Sequence, residues 1–167
     1  MSARQDVVIR SLEPDDVDGF LMLIDALADY EHLDPPTAEA RSRLAADALA
    51  DPPRFFALIA TLEAHPVGYA VYFETYSTFL AQPTLYLEDI FVLPEARGRG
   101  IGAALFGSCA AEAMRRSCGR MEWQVLRWND LALGFYEHLG AQPLHADWQC
   151  YRLEGASLAA AHGRAQG

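Results

Sequence analysis

The residues best suited to chemistry are Arg97-Gly98-Arg99-Gly100-Ile101-Gly102, set between an apolar strand-like run closed by Pro94 and a helical pattern opening at Gly100. Glycines let a backbone turn tightly and approach a ligand closely. A helix N-terminus adds unpaired N–H groups and a partial positive charge. Together they form an anion site suited to a pyrophosphate, with Arg97 and Arg99 supplying charge beside it. On the loop alone, a glycine-rich turn with two solvated arginines stays open.

Three phosphate-binding patterns compete for this segment. A P-loop requires a lysine followed by Ser or Thr, and the chain has no lysine. A dinucleotide fingerprint is met in form by Gly98, Gly100 and Ala103. It asks for an acidic residue at the end of the following strand. Glu122 stands at that strand's start, and only 65 residues follow Gly102. The third pattern, R/Q-x-x-G-x-G/A, is met by Arg97, Gly100 and Gly102.

The elements that position the loop follow from periodicity. Residues 7–12 read as a strand, and Pro14 with Asp15 and Asp16 opens a helix to about Tyr30. Its apolar positions Phe20, Leu23, Ile24 and Leu27 recur at helical spacing. Thr37 caps a second helix to about Ala50. Residues 55–62, 67–76 and 83–93 read as three strands, the first two antiparallel across a short turn. Residues 100–117 form a helix, 121–126 a strand, and Asn129 caps a short helix that Gly140 ends. Residues 148–153 read as a last strand, and 155–167 as an Ala-rich tail, a frayed helix or disordered. The expected architecture is α/β (α+β): helices packed on a mixed, largely antiparallel sheet, in one domain over 1–154.

Composition narrows the partners. The chain carries 13 basic and 23 acidic side chains in 167 residues, a formal charge of −10. That balance disfavours nucleic acid and attracts cations. No apolar run approaches the ~18 residues of a membrane span, and residues 1–7 lack a signal-peptide core. A cytoplasmic protein is expected. Cys109 and Cys118, on one helix, would lie ~13 Å apart, too far for a disulfide. Neither they nor Cys150 shows metal-ligand spacing with the five histidines. No metal is expected.

The loop pattern, with residues 85–92 (Leu-Tyr-Leu-Glu-Asp-Ile-Phe-Val) before it and Trp128-Asn129 and Phe135-Tyr136-Glu137-His138-Leu139-Gly140-Ala141 after it, resembles the GNAT superfamily of N-acetyltransferases. Within it, the chain is similar to the spermidine/spermine (diamine) and thialysine acetyltransferases, a likeness shared by Leu27-Ala28-Asp29-Tyr30-Glu31. The resemblance implies that the strands at 85–93 and 121–126 splay apart to admit acetyl-CoA. Backbone groups of Ile90, Phe91 and Val92 would pair with its pantetheine arm. Amides from Gly98 through Arg99, Gly100, Ile101 and Gly102 to Ala103, with Arg97, would hold the pyrophosphate, and Asn129 would reach the pantetheine region. Tyr136 would protonate the departing thiolate, and Glu88 would be the base, directly or through water. Tyr30, Glu31 and Glu88 would bind the amine, with Asp147 and Trp148 as further candidates. Carboxylates hold an ammonium group and aromatic faces add cation–π attraction.

Strict strand alternation would put Tyr86, Glu88 and Ile90 on one face and Leu87, Asp89 and Phe91 on the other. Glu88 and Asp89 then share a role only if a bulge intervenes. The expected reaction is acetyl transfer from acetyl-CoA to a primary amine of a diamine, polyamine or lysine-like amino acid. Arg127 would suit a substrate carboxylate. A non-catalytic acyl-CoA-binding module, a nucleotide-dependent oxidoreductase and acetylation of a protein amine are the alternatives. A homodimer is implied by the resemblance.

Overall fold

The computed structural model describes residues 7–144 and 149–164. They fall into two compact units, one ending at Gln124 and one beginning at Val125. The first holds a five-stranded sheet in the order β1 (Val7–Ser11), β2 (Phe56–Leu62), β3 (His65–Ser77), β4 (Gln82–Val92), β5 (Arg120–Trp123). Neighbours from β1 to β4 are antiparallel, and β4 and β5 are parallel. The parallel pair needs a crossover, supplied by the helix α3 (Ile101–Arg115).

Side-chain alternation gives the sheet two apolar faces. Leu58, Ala60, Ala70, Tyr72, Leu85 and Leu87 pack toward α3. That helix answers with Ile101, Leu105, Cys109 and Ala113, one residue every four, which makes a single stripe. On the other face, Ala57, Ile59, Tyr69, Val71 and Phe91 meet Phe20 and Leu23 of α1 (Val17–Tyr30). A 3₁₀ turn at Pro14–Asp16 precedes α1, so the α-helix begins three residues later than Pro14 suggested. In α2 (Ala38–Ala48) the Thr37 hydroxyl accepts from the Ala40 N–H at 3.3 Å, the expected cap. Arg41 Nη1 of α2 reaches both Asp25 oxygens of α1 at 2.6 Å.

The second unit contains α4 (Asp130–His138) and α5 (Gly155–Arg164). Asn129 Oδ1 accepts from the Ala132 N–H at 3.2 Å and caps α4, and Gly140 follows it at φ 82°. Two expectations need correction. The strand expected over 121–126 spans only Arg120–Trp123. Of the strand expected over 148–153, residues 149–153 have no regular structure and Trp148 lies outside the described residues. The Ala-rich tail carries a helix.

Candidate active site

The site is built around the last half of β4. Its pairing with β5 runs from Thr84–Arg120 to Leu87–Trp123 and stops. β4 itself continues to Val92 and, among the described residues, is paired there only with β3 on its other side. The stretch from Glu88 to Val92 therefore presents backbone groups toward the side where β5 has ended. An unpaired strand edge is a template for an added extended chain.

The same stretch contains a bulge. On β3, Val71 pairs with Asp89 and Tyr72 with Leu87, so Glu88 is the extra residue. A bulge shifts the alternation by one position and re-aims side chains. Leu85 and Leu87 face α3, and so do Ile90 and Val92. Tyr86 lies tilted against Phe73 with ring centres 5.3 Å apart, Phe91 packs with the α1 cluster, and Asp89 lies with them on that face. The strict alternation expected for Glu88 and Asp89 is thus corrected, because the extra residue brings both carboxylates to one cavity. That cavity, of about 650 Å³, is walled by Phe20, Ile24, Leu27, Phe55 and Phe73. Its charged lining is Glu31, Asp34, Arg54, Glu88 and Asp89.

Four carboxylates and one guanidinium thus surround an apolar floor. Burial first, then the charges of Glu88 and Glu31, raise the Asp89 carboxyl to about 6, opposed by a hydrogen bond from Tyr69. Burial also raises the Glu31 carboxyl. Tyr69 is fully buried, and its hydroxyl donates to Asp89 Oδ2 at 3.3 Å. Glu88 is exposed at the cavity edge.

After β4, a 3₁₀ turn at Pro94–Ala96 leads into the glycine loop. Gly98 and Gly100 sit at φ 74° and 79°, where a side chain is strained. Gly100 occupies the cap position of α3, and an added Cβ at either glycine would meet nothing within 4 Å. The glycines are thus required by backbone conformation, and they lead directly into the first turn of α3, whose amides have no partner within the helix. Ile101 buries its side chain in the core and offers only its backbone. Arg97 departs from a simple phosphate ligand: Nε donates to the Val92 carbonyl at 2.9 Å, and the guanidinium lies 4.8 Å from the centre of the Tyr30 ring and 5.6 Å from that of Phe91. Tyr30, expected at the amine, packs against these groups, tilted to Phe91 and next in sequence to Glu31 on the cavity wall.

In the second unit, Tyr136 is the buried residue of α4, and burial pushes its phenol up to about 12. Arg127 is exposed. Asp147 and Trp148 lie outside the described residues.

Residues 21–141 match the Acetyltransferase (GNAT) family. The chain belongs to the GNAT acetyltransferases. It is 36% identical over 162 residues to the thialysine N-epsilon-acetyltransferase of Bos taurus, covering 91% of this chain and 95% of that one. It is 30% identical over 159 residues to the spermidine/spermine N(1)-acetyltransferase-like protein 1 of Homo sapiens, covering 90% of this chain and 23% of that one. A solved structure of a possible acetyltransferase from Clostridium difficile 630 matches with a TM-score of 0.77 at 19% identity, over 89% of this chain and 99% of that one. That likeness establishes the fold.

As a GNAT member the chain is an N-acetyltransferase, and the family's acetyl donor is acetyl-CoA. The residues present fit that group: an unpaired strand edge suits its extended arm and an open glycine loop suits its pyrophosphate. Among the described residues no cluster of three or more His, Cys, Asp and Glu could hold a metal ion. Among them, too, no helix is long and apolar enough to cross a membrane. The sequence reading did not place Asp89 in the cavity, nor the apolar walls Phe20, Phe55 and Phe73. The signal for Asp89 was present: two adjacent acids inside an otherwise apolar strand cannot both face solvent in a regular pleat.

Proposed function

We propose that this enzyme acetylates the terminal primary amine of a small cationic molecule, a diamine, polyamine or lysine-like amino acid, by direct attack in a ternary complex. The observation that carries the reading is the Glu88 bulge. It gathers Glu88 and Asp89 at an acidic, apolar-floored cavity where β4 loses its β5 partner. The fold relatives named for thialysine and spermidine/spermine acetylation support the same substrate class.

Acetyl-CoA, when bound, supplies the acetyl group as an activated thioester. Backbone groups of Ile90, Phe91 and Val92 hold its extended arm; the Val92 carbonyl also accepts from Arg97. The amides from Gly98 to Ala103, with Arg99, hold the pyrophosphate, while Arg97 braces the loop against Tyr30. Asn129, whose Oδ1 caps α4, is assigned to the pantetheine by the family resemblance. Glu31 and Asp89 hold the substrate ammonium by charge, and Tyr30 adds aromatic surface beside them. The exposed Glu88 carboxylate accepts the proton that the amine must lose, directly or through a water. The Tyr136 phenol keeps its proton on oxygen at neutral pH, because burial holds it at about 12, and passes that proton to the leaving sulfur.

The proposal covers 1–154 as one catalytic domain with 155–167 as a tail. It places the enzyme in the cytoplasm as a homodimer, without metal, membrane or nucleic-acid partners. The excess of 23 acidic over 13 basic side chains supports the last point. A free-thiol assay across putrescine, cadaverine, spermidine, ornithine, lysine, thialysine and a basic peptide tests the reading. Turnover of small amines is expected. Absence of CoA release with every amine, or turnover of the peptide alone, would refute it.

A further inference from the structure

We propose that Tyr69 is a positioning residue of the amine site: its buried hydroxyl holds the Asp89 carboxylate at the cavity wall in the ionised form that binds an ammonium. The inference rests on the proposed amine reading of that cavity and adds a residue that does not touch the substrate.

The geometry begins with the bulge. Because Glu88 is the extra residue, Asp89 shares a face with Tyr69, Val71 and Phe91. Tyr69 stands opposite Phe91 and Val71 opposite Asp89, so the phenol reaches Asp89 diagonally across two strands. Its ring is fully buried, edge-on to Phe20 at 5.4 Å and tilted against Phe91 at 6.5 Å. Such a ring has no alternative place to swing. A buried phenol requires a hydrogen-bond partner, and Asp89 Oδ2 accepts from it at 3.3 Å.

The charges around Asp89 come from each packed element. Glu88 lies beside it on β4, Glu31 at the C-terminal end of α1 lines the cavity with it, and so do Asp34 and Arg54. Arg97 is turned away onto Tyr30 and Phe91. Burial, Glu88 and Glu31 all favour the protonated acid, and the Tyr69 hydroxyl opposes them. Burial, followed by the charge of Asp89, raises the Tyr69 phenol well above its usual value, so it remains a donor at every working pH. A protonated Asp89 would present no charge to an ammonium. The hydroxyl therefore extends the pH range over which the site binds its cation.

The test measures kcat/KM for the best amine from pH 5 to 8 in three proteins. These are the wild type, Tyr69→Phe, and a protein in which 3-fluorotyrosine replaces Tyr69 alone by codon suppression. Deprotonation of the free amine is common to all three and cancels. Tyr69→Phe should move the acidic limb up by about half a pH unit, roughly a threefold loss at pH 5.5, with little change at pH 8. The stronger fluorophenol donor should move it down. A titration of the Asp89 carboxyl carbon by NMR should shift in the same two directions, with no substrate present. Loss of thermal stability alone, with limb and titration unmoved in both variants, overturns the proposal. A wild type inactive toward every amine overturns the functional reading, and this proposal with it. The fluorinated protein keeps the aromatic packing and so provides the readout if Tyr69→Phe does not fold.

Discussion

Replacing Asp89 by Asn should make this protein more stable at neutral pH and a worse enzyme. The folded state holds the Asp89 carboxyl at about 6 against an ordinary value of 3.8. Such a group is protonated more readily folded than unfolded. Its contribution is harmless below pH 3.8, where both states are protonated. It then becomes a cost as pH rises, complete once pH passes 6. At 1.36 kcal/mol per pH unit, the full cost is about 3 kcal/mol. The side chain is only half-buried, and an Asn amide must also be desolvated, so a net gain of about 1–2 kcal/mol is the realistic expectation for Asp89→Asn at pH 7. The Asn oxygen can still accept from Tyr69. Urea denaturation of both proteins between pH 4 and pH 8 provides the assay. The stability difference should be near zero at pH 4, grow through pH 5–6 and level off by pH 7. In parallel, the amine KM of the variant should rise at pH 7. A difference independent of pH, or a variant less stable at pH 7, would refute the argument that burial and neighbouring charge strain this carboxylate.

Substitutions at three further positions separate the parts of the site. Gly100→Ala should cost about 1 kcal/mol of stability through its positive φ and raise the acetyl-CoA KM several-fold with the amine KM unchanged. Gly100→Asn should recover part of both losses, since asparagine tolerates that conformation. Glu31→Gln should raise the amine KM and also move the acidic limb of kcat/KM downward, because one charge that holds Asp89 protonated is gone. Tyr136→Phe should lower kcat by about 100-fold or more, the usual share of a general acid, with the acetyl-CoA KM little changed. Normal turnover in that variant would remove Tyr136 from the chemistry.

The residues that fixed the fold in advance were those with a strong local reason. The α3 stripe of Ile101, Leu105, Cys109 and Ala113 repeats every four residues, so one face is apolar whatever it meets. Gly98 and Gly100 are glycines for a conformational reason, and their place before that stripe marks the loop. Thr37 and Asn129 accept from the amides three residues on, as capping chemistry dictates. What failed to read out was decided by tertiary context. Residues 149–153 carry apolar and aromatic side chains at strand-like spacing, yet strand formation needs a neighbour to pair with. Nor did the sequence show what Arg97, expected at the pyrophosphate, touches within the chain. Its aliphatic stem and planar head also suit the Tyr30 and Phe91 rings, and no local pattern distinguishes the two uses.

The bulge is the most informative of these cases, because two functional features meet at one backbone irregularity. The last β4–β5 pair is Leu87–Trp123, and the next residue of β4 is the extra one, Glu88. A bulge bends its strand and increases its twist. β5 ends at that same last pair, so a β4 bent just beyond it runs on without a β5 partner over 88–92. The same added residue turns Asp89 onto the α1 face, beside Glu31 and under Tyr69. Without it, the pleat from Leu87 onward would carry Asp89 to the α3 face, into the apolar core of Leu87, Leu105 and Ile101. An uncompensated carboxylate there would be far more costly than at the cavity wall. The adjacent acids Glu88-Asp89 are therefore compatible with this strand only if it is bulged, and a bulged strand at this position supplies both an edge for an extended ligand and an acidic lining for a cation.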